Sequence, residues 1–403
     1  MTLNRRSFLA TSAAATAVMG TPMIVKAQPA EYVFGCSLPL TGPFAVAGQA
    51  VVPAFEISQA LINETGGIGG VPMRFIIEDS GYIPQNNLAN FQRAIASYGD
   101  DLIGYFADGT GGMKLLTAAL TGDNARICGS ASFASELADP VKHPYQYMSG
   151  PTYESQIDIA LRAIKDAGGN RVAFVFSNTE FGRDPIEHGK RTAEELGLEI
   201  VLEEATKPQG ADIATHVTKL AQSGAEHCIL QGYVSSVWPQ IIGGARQFGL
   251  PTQFYGTFWG MEKFVADRIT EQAGPILDGY QGVMPYFYDI DAAEGSIYNT
   301  YRAKAAEIMP GTPVTQYIST WALLGFLGVE MSVKALRDTI EADKPLTADN
   351  VAESMGNIKN WDTGGFFGKP VDVVNNAVPT GRVYRYSADS KTFTPTSDWL
   401  SIS

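Results

Sequence analysis

Three short loops rich in Gly, Ser and Thr are the parts of this sequence best suited to hold a small molecule. They span residues 39–44, 107–112 and 129–133, and each follows an apolar, strand-like segment. Glycine lets the backbone approach a ligand, and hydroxyl side chains donate and accept hydrogen bonds. Ligands of open α/β sheets bind at the carboxyl ends of the strands. One such loop is more typical of a turn or helix cap, and three at equivalent positions indicate a binding site as well as they indicate turns and caps.

The sequence lacks the motifs of the common enzyme and metal sites. Its four histidines (His143, His188, His216 and His227) stand in no HExxH pattern, and no CxxC, GxSxG or GKS/GKT segment occurs. The glycines at 66–70 precede a strand, whereas a dinucleotide fingerprint opens a helix. A hydrolase that uses Ser130 or Ser132 would need a neighbouring base, which the loop does not supply. We therefore predict a non-enzyme without cofactor or metal.

Length, composition and charge restrict the class of protein further. The chain has 403 residues, 45% hydrophobic and 18% charged, with a formal net charge of −13. This length suits about two domains. Removal of residues 1–27, which contain Arg5, Arg6, Lys26 and no acid, would bring the net charge to −16. An acidic surface argues against nucleic acid or an anionic membrane as partner.

The N-terminus has the pattern of an export signal. Two arginines precede an apolar run over 10–25, and a small-residue site ends at Ala27. The segment 4–9, Asn-Arg-Arg-Ser-Phe-Leu, resembles the twin-arginine export motif. We expect cleavage near Ala27 and a periplasmic mature protein without direct membrane insertion. An ordinary secretory signal whose arginines are adjacent by chance is the alternative.

Strand and helix patterns alternate along the chain, which predicts parallel sheets covered by helices. In the first series, strands are predicted at 32–38, 73–78, 102–106 and 125–129, and helices at 51–64, 87–98 and 113–121. In the second, helices are predicted at 155–166, 185–196, 213–223 and 237–248, and strands at 171–176, 199–203, 227–231 and 253–255. Long helices over 296–340 and a strand at 381–386 follow. The fold class is therefore α/β, with two lobes.

The three cysteines stand far apart, each inside an apolar strand-like run. They are Cys36, Cys128 and Cys228. This placement is typical of buried core thiols. Because the protein is predicted to be exported, a disulfide between two of them stays open as an alternative.

Several segments in order resemble the type I periplasmic binding proteins of the branched-chain amino acid and amide ABC importers. They are Cys-Ser-Leu-Pro-Leu-Thr-Gly-Pro at 36–43, Ile-Asn-Glu-Thr-Gly-Gly-Ile-Gly-Gly at 62–70, the stretch 130–140, Phe-Gly at 181–182 and Gly-Tyr at 232–233. The resemblance covers nearly all of the mature chain. It implies two Rossmann-like lobes joined by three crossing segments, a ligand in the interlobe cleft, and a monomer that docks on membrane permease subunits. Lobe 1 would comprise 28–150 and 286–375, and lobe 2 would comprise 151–285 and 376–403.

The resemblance also suggests which residues contact the ligand. Loops of lobe 1 would hold its polar head, and aromatic side chains would approach from lobe 2. The predicted ligand-binding residues are Asp108, Thr110, Ser130, Ser132, Phe133, Tyr153, Phe181, Tyr233 and Trp259.

Three of these positions depart from the amino acid binders of the family, which have a hydroxyl residue at Phe133, a Tyr at Phe181 and a carboxylate near Trp259. A buried, unpaired ammonium costs several kcal/mol, and a cation–π contact returns only about 0.5–2 kcal/mol. We therefore expect an aromatic or otherwise flat carboxylate as ligand. Glu262 or Asp108 could supply the missing charge, which keeps a branched-chain amino acid or amide ligand open. A soluble receptor that serves a separate sensor is a further alternative.

Overall fold

The structure is a computed structural model that describes residues 29–207, 212–232, 237–286, 296–313 and 317–402. The predicted export signal at 1–27 and the predicted site residue Tyr233 lie outside the described residues. The described strands form two separate sheets, and each sheet is the centre of one lobe.

The sheet of lobe 1 has five parallel strands in the order β2-β1-β3-β4-β5. The strands are β1 (Tyr32–Leu38), β2 (Met73–Asp79), β3 (Leu102–Ala107), β4 (Cys128–Ser130) and β5 (Gln146–Tyr147). Three helices connect them: α1 (Ala45–Glu64), α2 (Pro84–Tyr98) and α3 (Thr110–Thr117). Every residue of β3 is buried, as expected for a parallel strand covered on both faces. The carboxyl ends of β1, β3 and β4 thus meet at one edge.

The sheet of lobe 2 has the order β12-β11-β10-β9-β8-β6-β7, with β13 paired to β11. Its strands are β6 (Arg171–Ser177), β7 (Glu199–Thr206), β8 (His227–Gln231), β9 (Gln253–Gly256), β10 (Gln281–Met284), β11 (Thr380–Ser387), β12 (Thr392–Pro395) and β13 (Leu400–Ser401). Its helices are α4 (Tyr153–Asp166), α5 (Glu180–Arg183), α6 (Ile186–Glu195), α7 (Ile213–Ser223), α8 (Trp238–Gln247) and α9 (Lys263–Ala273). Strands β6 to β10 are parallel, whereas β11 runs antiparallel to β10.

Three helices return the chain to lobe 1 before it rejoins the sheet of lobe 2 at β11. They are α10 (Ile297–Ile308), α11 (Thr320–Glu341) and α12 (Ala348–Gly356). Helix α11 packs against α1, and α12 packs against α11. The chain therefore passes between the lobes after β5, after β10 and before β11, which confirms the predicted two-lobed α/β architecture.

Helix α1 is long and apolar enough, by length and composition alone, to cross a membrane. A core helix meets the same test. In the structure, α1 packs against β2 and α11, and residues such as Val51, Phe55 and Ile57 are buried there. Helix α1 is therefore apolar because it forms part of the core of lobe 1.

The three helices that connect the strands of lobe 1 all begin earlier than the sequence predicts, and in two of them the added residues include a glycine that allows close packing. Helix α1 includes Gly48, where a Cβ atom would lie 2.3 Å from the carbonyl oxygen of Pro39. Helix α3 starts at Thr110 and includes Gly112, where a Cβ atom would lie 2.2 Å from Nδ2 of Asn87. Tertiary contacts thus outweigh the low helix propensity of glycine at both places.

The three cysteines are free and buried. Burial raises the pKa of each thiol, since the charged thiolate would lose its hydration. All three are core thiols, as the apolar sequence context predicts.

The packing of α11 on α1 yields a stability prediction. At Gly325, a Cβ atom would lie 2.5 Å from Cγ1 of Val51, a side chain with little rotamer freedom in a helix. We expect Gly325→Ala to lower the free energy of unfolding by about 1–3 kcal/mol through overpacking. The control is Gly356→Ala in α12, where no atom lies within 4 Å and alanine should stabilise the protein or leave it unchanged. Urea denaturation checks both, and equal effects would contradict the packing argument.

Candidate functional site

A cavity lies between the two lobes, next to the carboxyl ends of β1, β3 and β4. We call it the cleft cavity. It comprises about 400 Å³ of space not filled by protein atoms, part of it open to solvent. Its lining consists of Leu38, Pro39, Ala47, Gly48, Val51, Tyr82, Asp108, Gly109, Thr110, Ala131 and Ser132 from lobe 1, and Tyr153, Phe181 and Trp259 from lobe 2. The structure therefore brings six of the predicted site residues together around one space.

The loop after β3 places a buried acid at the cavity. Gly109 has φ of +72° and leads the chain directly into α3, so the loop is short. The side chain of the preceding Asp108 is 3% exposed, and neither carboxylate oxygen has a hydrogen-bond partner among the described residues. Burial raises the pKa of Asp108 to about 6, although the proximity of Ser80 and Asn87 lowers it somewhat.

The two serines of the loop after β4, Ser130 and Ser132, make different contacts. Ser130 Oγ donates to the Ser132 carbonyl oxygen at 2.7 Å and accepts from the Ser132 N–H at 2.8 Å, so it holds the turn together. Ser132 Oγ lies 2.7 Å from Oγ1 of Thr110 and accepts from the Ala134 N–H at 3.2 Å. Thr110 and Ser132 line the cleft cavity and Ser130 does not.

Phe133 also stays outside the lining of the cleft cavity, in contrast to its predicted place in the site. Its ring is fully buried and contacts the rings of Tyr153 and Phe258 edge-on, with centroids 5.9 and 5.1 Å away. Phe133 therefore supports the cavity wall from behind.

In the part of lobe 2 that the structure describes, three buried aromatic side chains form the wall of the cleft cavity. Tyr153 is the first residue of α4, Phe181 lies in α5, and Trp259 lies in the turn after β9. Trp259 Nε1 donates to the Tyr153 hydroxyl at 2.9 Å, and the Tyr153 and Phe181 ring centroids are 5.1 Å apart. Since the indole N–H is bonded to this hydroxyl, the ring has a fixed orientation in the wall.

Sequence reasoning missed Tyr82, which borders the cavity from the loop after β2. Its φ of +62° is unusual for a residue other than glycine, and its ring contacts Phe44 with centroids 4.2 Å apart. Burial raises the pKa of its phenol. The available signal was its position, because this loop leaves the same edge of the sheet as the three loops that were identified.

A second cavity adjoins the first, and we call it the side cavity. It comprises about 520 Å³ on the same measure and shares Tyr82, Asp108, Gly109 and Phe181 with the cleft cavity. Its other lining residues are Pro84, Asn87, Gly111, Gly112, Thr179 and Glu180. The buried Asn87 donates its Nδ2 to the Asp108 carbonyl oxygen at 3.0 Å, while its Oδ1 has no partner among the described residues.

Polar contacts join the two lobes beside these cavities. Ser135 of lobe 1 donates its backbone N–H and its hydroxyl to Oδ2 of Asp184 in lobe 2, both at 3.1 Å. Lys114 of lobe 1 lies 3.6 Å from the Glu180 carboxylate of lobe 2. Burial raises the pKa of Asp184 to about 6. The lobes are thus in contact across the cleft.

Glu262, one of the two acids that could supply a charge to the ligand, is engaged elsewhere. Its carboxylate accepts from Thr320 Oγ1 at 2.5 Å and from the Trp321 N–H at 3.3 Å, at the start of α11. It is not among the described residues that line either cavity. Burial raises its pKa to about 7. Of the two candidates, only Asp108 faces the cavities.

The described residues contain no group of three His, Cys, Asp or Glu side chains that could hold a metal ion. None of the four histidines is among the described residues that line either cavity; His188 and His216, for example, pair with Asp158 and Glu204. Ser132 therefore has no histidine base beside it among the residues that line the cleft cavity.

Comparison with known proteins agrees with this architecture. A leucine-, isoleucine-, valine-, threonine- and alanine-binding protein of Pseudomonas aeruginosa is 20% identical over 341 residues, which is 80% of this chain and 86% of that protein. A branched-chain amino acid ABC transporter protein of Thermus thermophilus with bound valine superposes with a TM-score of 0.79 at 20% identity, covering 92% of this chain and 97% of the other. A solute-binding protein from R. palustris in complex with 4-hydroxybenzoate has a TM-score of 0.76 at 15% identity, with the same coverage.

The family model described as periplasmic binding protein matches residues 31–392. This match spans both sheets and the helices that return to lobe 1. Together with the two-lobed fold and the cavity between the lobes, it shows that the chain belongs to the periplasmic binding protein family, whose members bind solutes for ABC transporters.

Proposed function

We propose that this protein captures a flat, ring-bearing solute in the periplasm and delivers it to the permease of an ABC importer. One observation carries the proposal: the aromatic wall of lobe 2 faces the polar loops of lobe 1 across the cleft cavity. A ring can pack against Trp259 and Tyr153, while a polar group reaches Thr110 and Ser132. Export through a twin-arginine signal stays a prediction.

The relatives include proteins with bound valine and with bound 4-hydroxybenzoate, so likeness alone does not decide between aliphatic and aromatic ligands. The chemistry of the lining favours the aromatic class, since every described lobe 2 residue of the cleft cavity carries a ring. A carboxylate as polar head stays a prediction, supported by the hydroxyls of Thr110 and Ser132 and by the N–H groups at the start of α3.

An aliphatic amino acid is the second candidate, and Asp108 is the observation that favours it. An α-ammonium group needs a buried acid as partner. Asp108 is a buried acid, and neither of its carboxylate oxygens has a hydrogen-bond partner among the described residues. The two candidates differ in what they require of the aromatic wall.

The aromatic wall is tested by Trp259→Ala. We expect the affinity for an aromatic acid such as benzoate or cinnamate to fall by about 1–3 kcal/mol, because stacking and buried area are lost. Binding of leucine, isoleucine or valine should change much less. Calorimetry of the same ligands with Trp361→Ala, which removes an indole outside the described lining of both cavities, is the control. Submicromolar leucine binding without aromatic binding would favour the aliphatic candidate.

The two serines after β4 should respond differently to replacement. Ser132→Ala removes a hydroxyl at the cleft cavity and should weaken binding several-fold, the equivalent of about 1 kcal/mol. Ser130→Ala should lower the free energy of unfolding by about 1–3 kcal/mol, because it leaves buried turn groups without their partner. Calorimetry and urea denaturation on both variants separate the effects. The same loss of affinity from Ser130→Ala, without loss of stability, would return Ser130 to the site.

The stability of the fold should depend on pH through Glu262. Burial raises its pKa from 4.5 to about 7. The folded protein therefore favours the protonated acid, so the contribution of Glu262 to the free energy of unfolding is most favourable at low pH and weakens as pH rises to about 7. Glu262→Gln keeps an acceptor for Thr320 without a charge, so its free energy of unfolding should fall less between pH 5 and 8. Urea denaturation at both pH values measures the two proteins, and an equal or larger fall for Glu262→Gln would contradict this.

A further inference from the structure

The side cavity contains three buried hydrogen-bond acceptors that receive no donor from the described residues. They are both carboxylate oxygens of Asp108 and Oδ1 of Asn87, whose side chains are 3% and 1% exposed. The Asn87 amide orientation follows from its neighbour, because Nδ2 donates to the Asp108 carbonyl oxygen at 3.0 Å and the reversed amide would face that oxygen with another acceptor. Buried acceptors without partners are destabilising, so this grouping needs an explanation.

The surroundings of these acceptors carry negative charge and aromatic rings. Among the described residues, no Lys, Arg or His lines either cavity. Glu180 enters the side cavity from lobe 2, although Lys114 Nζ lies 3.6 Å from its carboxylate and offsets part of its charge. The rings of Tyr82 and Phe181 border both cavities. An anionic group placed here would meet carboxylates, whereas a cation would find hydrogen-bond acceptors, opposite charge and ring faces together.

We infer that the side cavity is a subsite for a protonated amine or similarly compact cationic donor of the solute, held by Asp108 and Asn87. This inference rests on the proposed function, since it names a second polar group of the same ligand. The cavities join at Asp108, so the amine is connected to a ring in the cleft cavity by a short chain. Because Asp108 and Asn87 belong to lobe 1 and Glu180 to lobe 2, the cation also attracts the lobes toward each other.

The test compares three ligands that share a phenyl ring and differ in their terminal polar group. Calorimetry of the mature protein compares 2-phenylethylamine, 2-phenylethanol and 3-phenylpropanoate. The amine should bind at least tenfold more tightly than the alcohol and the acid, and Asp108→Asn should abolish this preference. The control is Asp158→Asn, which alters a buried acid of lobe 2 that is already bonded to His188 and Thr192. That variant should keep the preference for the amine.

A fourth ligand separates this inference from the proposed function. 3-Methylbutylamine keeps the amine and lacks the ring. If it binds as tightly as 2-phenylethylamine while Asp108→Asn weakens both, the aromatic wall fails and the cation subsite stands. If the three phenyl compounds bind equally, or no amine binds at millimolar concentration, the cation subsite is overturned.

A second measurement requires no ligand. Because neither Asp108 carboxylate oxygen accepts a well-formed hydrogen bond from the described residues and burial disfavours its charge, Asp108→Asn should raise the Tm of the ligand-free protein by removing a buried charge. Asp158→Asn should lower it, since that carboxylate is bonded. A fall in Tm for Asp108→Asn would show that the carboxylate stabilises the fold, which would overturn the inference.

Discussion

Contact between the two lobes is the constraint on which both cavities depend. Neither lobe alone encloses the space, because the polar loops come from lobe 1 and the aromatic wall from lobe 2. The described polar contacts across the cleft include two buried acids, Asp184 and Glu262, whose pKa values burial raises. Buried carboxylates lack the hydration they have in water, so their bonds stabilise the contact between the lobes only modestly. A ligand that contacts both lobes can therefore contribute much of the free energy that holds them together.

The distribution of acids explains how an indole can stand at Trp259 in a protein of this family. Glu262, three residues further on, directs its carboxylate to the start of α11 instead of the cavities. The buried carboxylate available to a ligand comes from the opposite lobe, at Asp108, whereas Glu180 of lobe 2 borders only the side cavity. The aromatic wall can therefore be apolar while an acid still lines the cleft cavity.

The alternation of apolar runs predicts both lobes, because parallel strands covered on two faces leave a strong pattern. Loop positions at the sheet edge likewise indicate Asp108, Thr110 and Ser132. The direction of a side chain within a loop is a different matter. Ser130 and Ser132 have the same chemistry but differ in their contacts, because the hydroxyl of Ser130 is hydrogen-bonded to the backbone of the turn. Tyr82 was missed since its left-handed backbone conformation has no signature in residue type.

The aromatic wall and the buried acceptors of the side cavity would discriminate between ligands to different degrees. An apolar ring surface gains or loses affinity with buried area, so a ligand that differs by a methylene is distinguished by only about 1–3 kcal/mol. A site with buried acceptors discriminates more strongly, because a ligand without donors that displaces water leaves these acceptors unpaired. Trp259 and Tyr153 would thus admit a range of flat molecules. Asp108 and Asn87 would then set which polar group such a molecule must carry, and they do so from the lobe that lacks the aromatic wall.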